Sequence, residues 1–286
     1  MALQDSFTRF LSNRFAIKKA ENLSGGCIND CYCLYTDKGK YFIKLNSARA
    51  FPGMFTEEAR ALRLMASTST VNVPEVIAVG EHEQTSYLLL NFIEPGSKQS
   101  ETMSRLGRQV ALMHQCTSKQ FGFESDNYIG SLPQANNWKN NWAGFFVEMR
   151  LQPQLALARN KHLLSTTDAN DFEKLFQKIS ALFPTERPAL LHGDLWAGNY
   201  VVAKNGDAYL IDPAVYYGHR EMDLAMASLF GGYPSSFFEA YEEVFPLAAG
   251  WQQRMDLCNL YPLLVHVNLF GAGYTAQLKG CLKQYV

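Results

Sequence analysis

Asp194, Asn199 and Asp212 combine residue type and spacing in a way that could do chemistry. They lie in Leu191-His192-Gly193-Asp194-Leu195-Trp196-Ala197-Gly198-Asn199 and in Leu210-Ile211-Asp212: a carboxylate, an amide and a second carboxylate. Transfer of a γ-phosphoryl group needs a side chain to orient an attacking hydroxyl and accept its proton. It also needs oxygen ligands for Mg²⁺, which neutralises developing charge. Asp194 suits the first task, and Asn199 and Asp212 the second. Between them, Tyr200 to Ala203 and Ala208 to Ile211 flank Asn205-Gly206, which predicts a hairpin with a type I′ turn. Such a hairpin would return Asp212 toward Asn199.

The spacing is that of the kinase catalytic loop His-Arg-Asp-Leu-x-x-x-Asn, with Gly193 replacing the Arg. That Arg would pair with a phosphorylated activation loop. Only Pro213 to Met222 separate Asp212 from Asp223, and no Ala-Pro-Glu follows, so the acceptor is expected to be a small molecule.

A second set of residues would handle ATP. Phe15 to Leu23, Ile28 to Thr36 and Tyr41 to Leu45 read as strands, the first two flanking Ser24-Gly25-Gly26-Cys27. Lys44 stands in an apolar strand, and burying an ammonium is costly without a phosphate or carboxylate beside it. Glu57 and Glu58, on a predicted helix with Ala61, Leu62 and Met65 facing a sheet, offer that carboxylate, and one of the two must be solvated. Pro74 to Val79 and Tyr87 to Phe92 give two more strands, ending at Ile93-Glu94-Pro95-Gly96, where the backbone could bond a base edge.

Beyond Gly96 the pattern becomes helical: Thr102 to Thr117, Trp138 to Arg159 with an interruption or kink at Pro153, Asp168 to Phe183, Asp223 to Phe230, Ser235 to Val244, and Gly250 onward. His114 reads as a packed histidine. Tyr128, Trp138, Trp142, Phe145 and Phe146 read as core, with Asn136 and Asn137 before Trp138 suiting an acceptor pocket as the alternative.

The 286 residues, 47% hydrophobic and 13% aromatic, suffice for one large domain or two lobes. A net charge of −1 argues against bulk attraction to nucleic acid or an anionic membrane. Met1 to Asn13 reads as a short amphipathic helix and not a signal peptide, and the apolar run Tyr261 to Tyr274 is broken by His266, Asn268 and glycines. A cytoplasmic enzyme is expected. Six irregularly spaced cysteines make no disulfide framework, and Cys27, Cys31 and Cys33 lack a partner pair for zinc.

These residues resemble the fructosamine kinase (ketosamine-3-kinase) family of the protein-kinase-like superfamily, which includes aminoglycoside and choline kinases. The likeness runs through Ser24 to Ile28, Phe55 to Ala59, Phe121 to Phe123, Asp126 to Gly130, Pro133 to Asn136 and Trp142-x-x-Phe145-Phe146-x-x-x-Arg150-Leu151. It continues through His192 to Asn199, through Asp212-Pro213-Ala214-Val215-Tyr216-Tyr217-Gly218-His219-Arg220-Glu221 to Met226, and through Leu269 to Tyr274. Trp196 and the run Tyr216 to Glu221 narrow it from the superfamily to the family.

The resemblance implies an α+β, bilobal, kinase-like fold. Residues 1–93 would form a small antiparallel nucleotide-binding lobe with one main helix, and 94–286 a larger, mostly helical catalytic and acceptor-binding lobe. It implies ATP- and Mg²⁺-dependent phosphorylation of the 3-hydroxyl of a ketosamine, the Amadori adduct of a sugar on a free or protein-bound amine, a deglycation role. Carried over by motif, Asp194 is the base, Asn199 and Asp212 the Mg²⁺ ligands, Lys44 the phosphate lysine and Glu58 its partner. Gly25 and Gly26 cover the phosphates, and Asn91, Phe92 and Ile93 form the adenine hinge. Asn91 departs from relatives, where an acidic residue is common, with little loss expected because backbone groups read adenine. Asp223 is expected to hold the catalytic loop. Cys27 is either a redox-sensitive thiol, able to link two otherwise monomeric chains, or a small loop residue. Two alternatives stand beside this reading: an aminoglycoside, choline or homoserine kinase, and a nucleotide-binding pseudokinase, which the intact Asp194, Asn199 and Asp212 oppose.

Overall fold

Alternation along one strand sets the character of the N-terminal part. In a computed structural model that describes residues 5–12, 15–23 and 28–286, the chain forms two compact units. The first comprises Met1–Lys98 and Val201–Ile211, and the second Gln99–Tyr200 and Asp212–Val286. Gly25, Gly26 and Cys27 lie outside the described residues.

The first unit runs α1 (Asp5–Ser12), β1 (Ile17–Asn22), β2 (Asp30–Thr36), β3 (Gly39–Ser47), α2 (Met54–Ser67), β4 (Val76–His82) and β5 (Thr85–Asn91). Its five strands pair antiparallel in the order β1-β2-β3-β5-β4. Successive side chains of a strand point to opposite faces. Ile43 and Leu45 therefore join Leu34, Tyr87 and Leu89 in a core that Phe7 and Leu11 of α1 help to cover. Lys44, between them, faces the other way. The N-terminal amphipathic pattern is thus spent on the sheet, with Phe10 stacked on His82 at 4.3 Å. Ala61, Leu62 and Met65 of α2 are buried, as their helical spacing predicts.

The second unit contains α3 (Thr102–His114), the short pair β6 (Asn127–Ile129) and β7 (Leu132–Gln134), α4 (Trp142–Phe145), α5 (Gln152–Asn160) and α6 (Thr166–Leu182), followed by β8 (Ala189–Leu191). A π-helical segment, Phe146–Leu151, joins α4 to α5. The expected disturbance near Pro153 takes this form: the wider turns immediately precede the proline, which lacks the N–H that would continue the hydrogen-bond ladder. A capping box between Ser165 and Asp168 opens α6.

The chain then forms β9 (Tyr200–Val202) and β10 (Ala208–Leu210), a hairpin as predicted. Its turn differs from the expected type I′, which needs positive φ at both central residues. Gly206 has φ +83°, but Lys204 and Asn205 do not, and Gly206 N–H donates to Ala203 O at 2.8 Å. This is a type I turn closed by a left-handed glycine. The Asn205 side chain makes the difference, because it accepts from Asp207 N–H at 3.1 Å and stabilises the longer loop. The hairpin packs within the first unit, where Leu210 N–H donates to Asn72 O and Gly96 N–H to Val202 O.

In the second unit β11 (Tyr216–Gly218) pairs with β8, and α7 (Glu221–Leu229), α8 (Ser235–Val244), α9 (Trp251–Phe270) and α10 (Thr275–Leu282) complete the helices. Among the described residues no helix is long and apolar enough to cross a membrane.

Candidate active site

The loop after β8 is shaped by one buried carboxylate. Asp223, in the first turn of α7 and 1% exposed, accepts from His192 N–H at 2.7 Å and from Gly193 N–H at 2.9 Å. The His114 imidazole donates to it through Nε2 at 3.1 Å, and Tyr241 OH meets His114 Nδ1 at 2.9 Å. A buried charge persists only with such partners. His114 is therefore a packed histidine that orients Asp223. Gly193 has its own reason to be glycine: φ is +82°, and a Cβ there would lie 2.1 Å from Ala214 O. An Arg in that position would break the close passage of the loop against Ala214.

The loop presents Asp194. Asn199 Nδ2 donates to the Asp194 backbone carbonyl at 2.9 Å and to its Oδ2 at 2.8 Å. That leaves Asp194 Oδ1 and Asn199 Oδ1 for other partners. Burial, with the nearby Asp212 and Asp223 charges, outweighs the Asn199 hydrogen bond and raises the Asp194 pKa to about 7. Asp212, exposed, sits at φ +56°, a left-handed conformation that Asp tolerates better than most residues. Two oxygen ligands of this kind, one amide and one carboxylate, suit Mg²⁺, which takes few protein ligands and completes its shell with phosphate and water. Trp196 lies over Gly198, where a Cβ would come within 2.2 Å of the indole ring.

The motif from Tyr216 to Glu221 explains how α7 is set. Arg220 makes two hydrogen bonds to Glu186, at 2.9 and 2.8 Å, and packs 3.7 Å over the Phe245 ring. Glu221, fully buried, is gripped by Arg254 of α9 at 2.8 and 2.6 Å. Both pairs fix the helix start that carries Asp223.

Asp194 opens onto a small pocket lined by Ile129, Met222, Met226, Tyr261, Val265 and His266, among others. Sequence reasoning missed this wall of α7 and α9. The signal was present, since His266 interrupts an otherwise apolar run. The alternative that Asn136 lines a pocket is corrected: it is 1% exposed and bonded to Asn127 and to Arg150 Nη2. Trp142, Phe145 and Phe146 are core.

In the first unit, Lys44 Nζ and Glu58 Oε1 pair at 2.7 Å, with side chains 4% and 12% exposed. Glu57 lies instead near Arg60, at 3.8 Å. Alternation in β3 and the helical phase of α2 bring Lys44 and Glu58 together. The Asn91 side chain accepts from Glu75 N–H, and the N–H groups of Asn91 and Phe92 donate to Glu75 O and Lys40 O. Among the described residues, Ile93 N–H has no such bond, which leaves it available to a base edge.

The fructosamine kinase family model matches residues 1–286. The chain belongs to the fructosamine kinase family. A protein from Synechocystis, named as a ketoamine kinase, is 45% identical over 271 residues, covering 94% of this chain and 91% of that one. A crystal structure from Thermobifida fusca, described as a fructosamine-3-kinase, is 33% identical with a TM-score of 0.89, covering 99% of this chain and 98% of that one. An aminoglycoside phosphotransferase structure, 16% identical with a TM-score of 0.66 and covering 98% and 99%, shares the fold. Fold class and family therefore agree with the sequence reading: an α+β, kinase-like member of this family.

Proposed function

We propose that this protein transfers the γ-phosphoryl group of ATP to the 3-hydroxyl of a ketosamine, with Asp194 as the base. The observation that carries the reading is the Asp194 carboxylate, which lines a pocket and is held through Oδ2 by Asn199, with Oδ1 left to accept a proton. Oδ1 accepts the hydroxyl proton as the oxygen attacks the γ-phosphorus and the bond to the leaving ADP breaks. Asn199 Oδ1 and Asp212 hold Mg²⁺, which when bound offsets charge on the phosphates. The apolar side chains of Met222, Met226 and Val265 exclude water from the acceptor side.

The first unit handles nucleotide and the second performs catalysis and binds the acceptor. Lys44, fixed by Glu58, meets the α- and β-phosphates, Gly25 and Gly26 cover them, and the hinge at Asn91, Phe92 and Ile93 reads adenine through backbone groups, Ile93 N–H first. The relatives' names support a ketosamine acceptor. The carboxylates in the Asp194 pocket are Asp194 itself and the fully engaged Asp223, so the pocket offers no further acid to an aminoglycoside.

The test is substrate-dependent ADP release with ribulose-, erythrulose- and fructose-derived adducts of lysine, beside choline, homoserine and an aminoglycoside, with ³¹P NMR locating the new ester. Phosphorylation at the 3-oxygen of a ketosamine is expected. Turnover of another acceptor with none of the three adducts would sink the reading.

A further inference from the structure

Exposed large hydrophobic side chains are few among the described residues, and three of the six, Trp196, Phe230 and Phe270, gather near the pocket that holds Asp194. His266 ties them together. Its ring lies 4.7 Å from Phe230, 5.0 Å from Tyr274 and 5.4 Å from Phe270, and Phe230 reaches Trp196 at 6.4 Å. His266 also lines the Asp194 pocket. Phe270, 55% exposed at the end of α9, contributes little to a core. A clustered aromatic surface continuous with an active-site pocket marks a binding site.

The chemistry of its ligand follows from His266. A carbonyl oxygen only accepts, so the 2.7 Å contact between His266 Nδ1 and Pro262 O places the ring proton on Nδ1. Nε2 is then a bare acceptor. Burial holds the imidazole below its ordinary pKa, so it is neutral near pH 7 and does not repel a cation. Aromatic faces attract ammonium groups and cover alkyl chains. An acceptor nitrogen within such rings suits a protonated amine on an alkyl stem.

We propose that Phe230, His266, Phe270 and Tyr274 form the carrier-side subsite, which takes the protonated secondary amine of the acceptor and the alkyl chain that bears it. The inference rests on the ketosamine reading above. In a ketosamine the nitrogen is four bonds from the 3-oxygen, about 5 Å at ordinary bond lengths. A hydroxyl at Asp194 therefore brings the ammonium within reach of the pocket lining, where its N–H donates a hydrogen bond to His266 Nε2. The carrier chain continues over Phe270 and Tyr274.

The experiment compares two adducts of one ketose, on methylamine and on the ε-amine of Nα-acetyl-lysine, in steady-state kinetics of the full chain. Phe270→Ser and Tyr274→Ser change exposed or half-exposed side chains, and thermal melting checks that each variant is folded. The wild type is expected to favour the lysine adduct in kcat/KM, and each variant to reduce that preference about five- to tenfold, through KM and with KM for ATP unchanged. His266→Phe, which keeps the ring and removes the acceptor, is expected to raise KM for both adducts. An unchanged preference in both Ser variants would overturn the subsite. Wild-type inactivity on both adducts would instead overturn the ketosamine reading itself.

Discussion

Asp223→Asn changes one atom and should disable the catalytic loop without touching substrate. The Asp223 carboxylate accepts three hydrogen bonds: His192 N–H and His114 Nε2 at one oxygen, and Gly193 N–H at the other. An Asn side chain offers one accepting oxygen, so its amide NH₂ must confront at least one backbone N–H. Hydrogen bonds to a charged group contribute about 1.5–3 kcal/mol each, and a buried donor left unpaired adds to the loss. With the Gly193 hydrogen bond lost, its N–H facing the amide NH₂, and partial relaxation, the cost is about 3–5 kcal/mol, shared between stability and loop geometry. If half falls on the position of Asp194, turnover drops about 10- to 100-fold, since 1.36 kcal/mol is a factor of ten. The assay is ADP release at saturating ATP with a good ketosamine, beside thermal melting. A lower melting temperature, a kcat reduced at least tenfold and a KM for ATP within about threefold are expected. A folded variant with kcat within twofold of wild type would refute the clamp. His114→Phe, which removes one of the three donors, should give a smaller loss in the same direction.

Asp194→Asn should abolish turnover, by about 10²–10⁴, with nucleotide affinity measured by calorimetry nearly intact; near-normal turnover would remove Asp194 from its role. Lys44→Met should weaken nucleotide binding and also cost stability, because Glu58, 12% exposed, loses its ion pair with Lys44; unchanged affinity and turnover would leave Lys44 purely structural. Burial would raise the Glu186 carboxyl, but the Arg220 hydrogen bonds and the His219 and Arg220 charges prevail and hold its pKa below the ordinary 4.5. A depressed folded pKa stabilises the protein above the unfolded value, and the effect fades as pH falls through the folded one. Glu186→Gln should therefore melt lower than wild type at pH 7, with the gap closing below about pH 4.5; a gap that is constant with pH would show that the pair contributes nothing.

The sequence by itself determined which groups are candidates for the chemistry. Asp194, Asn199 and Asp212 stand out by type and spacing, because a loop, a short hairpin and a strand end are local structures with local signatures. Lys44 stood out for the same reason, as a charge in an apolar alternation, and the five antiparallel strands were legible from alternation and turns. What the sequence left open were choices between equals. Glu57 and Glu58 are neighbours of one type, and only the rotation of α2 against β3 selects Glu58. The turn at Asn205-Gly206 reads as type I′ until the Asn205 side chain bonds to Asp207. Asp223 clamps residues about 30 positions away, and the pocket wall beside Asp194 comes from α7 and α9, which Arg220–Glu186 and Arg254–Glu221 hold in place. Such contacts join residues with no local spacing rule. They exist only once burial makes an unpaired charge too costly to leave, and that is a property of the packed fold.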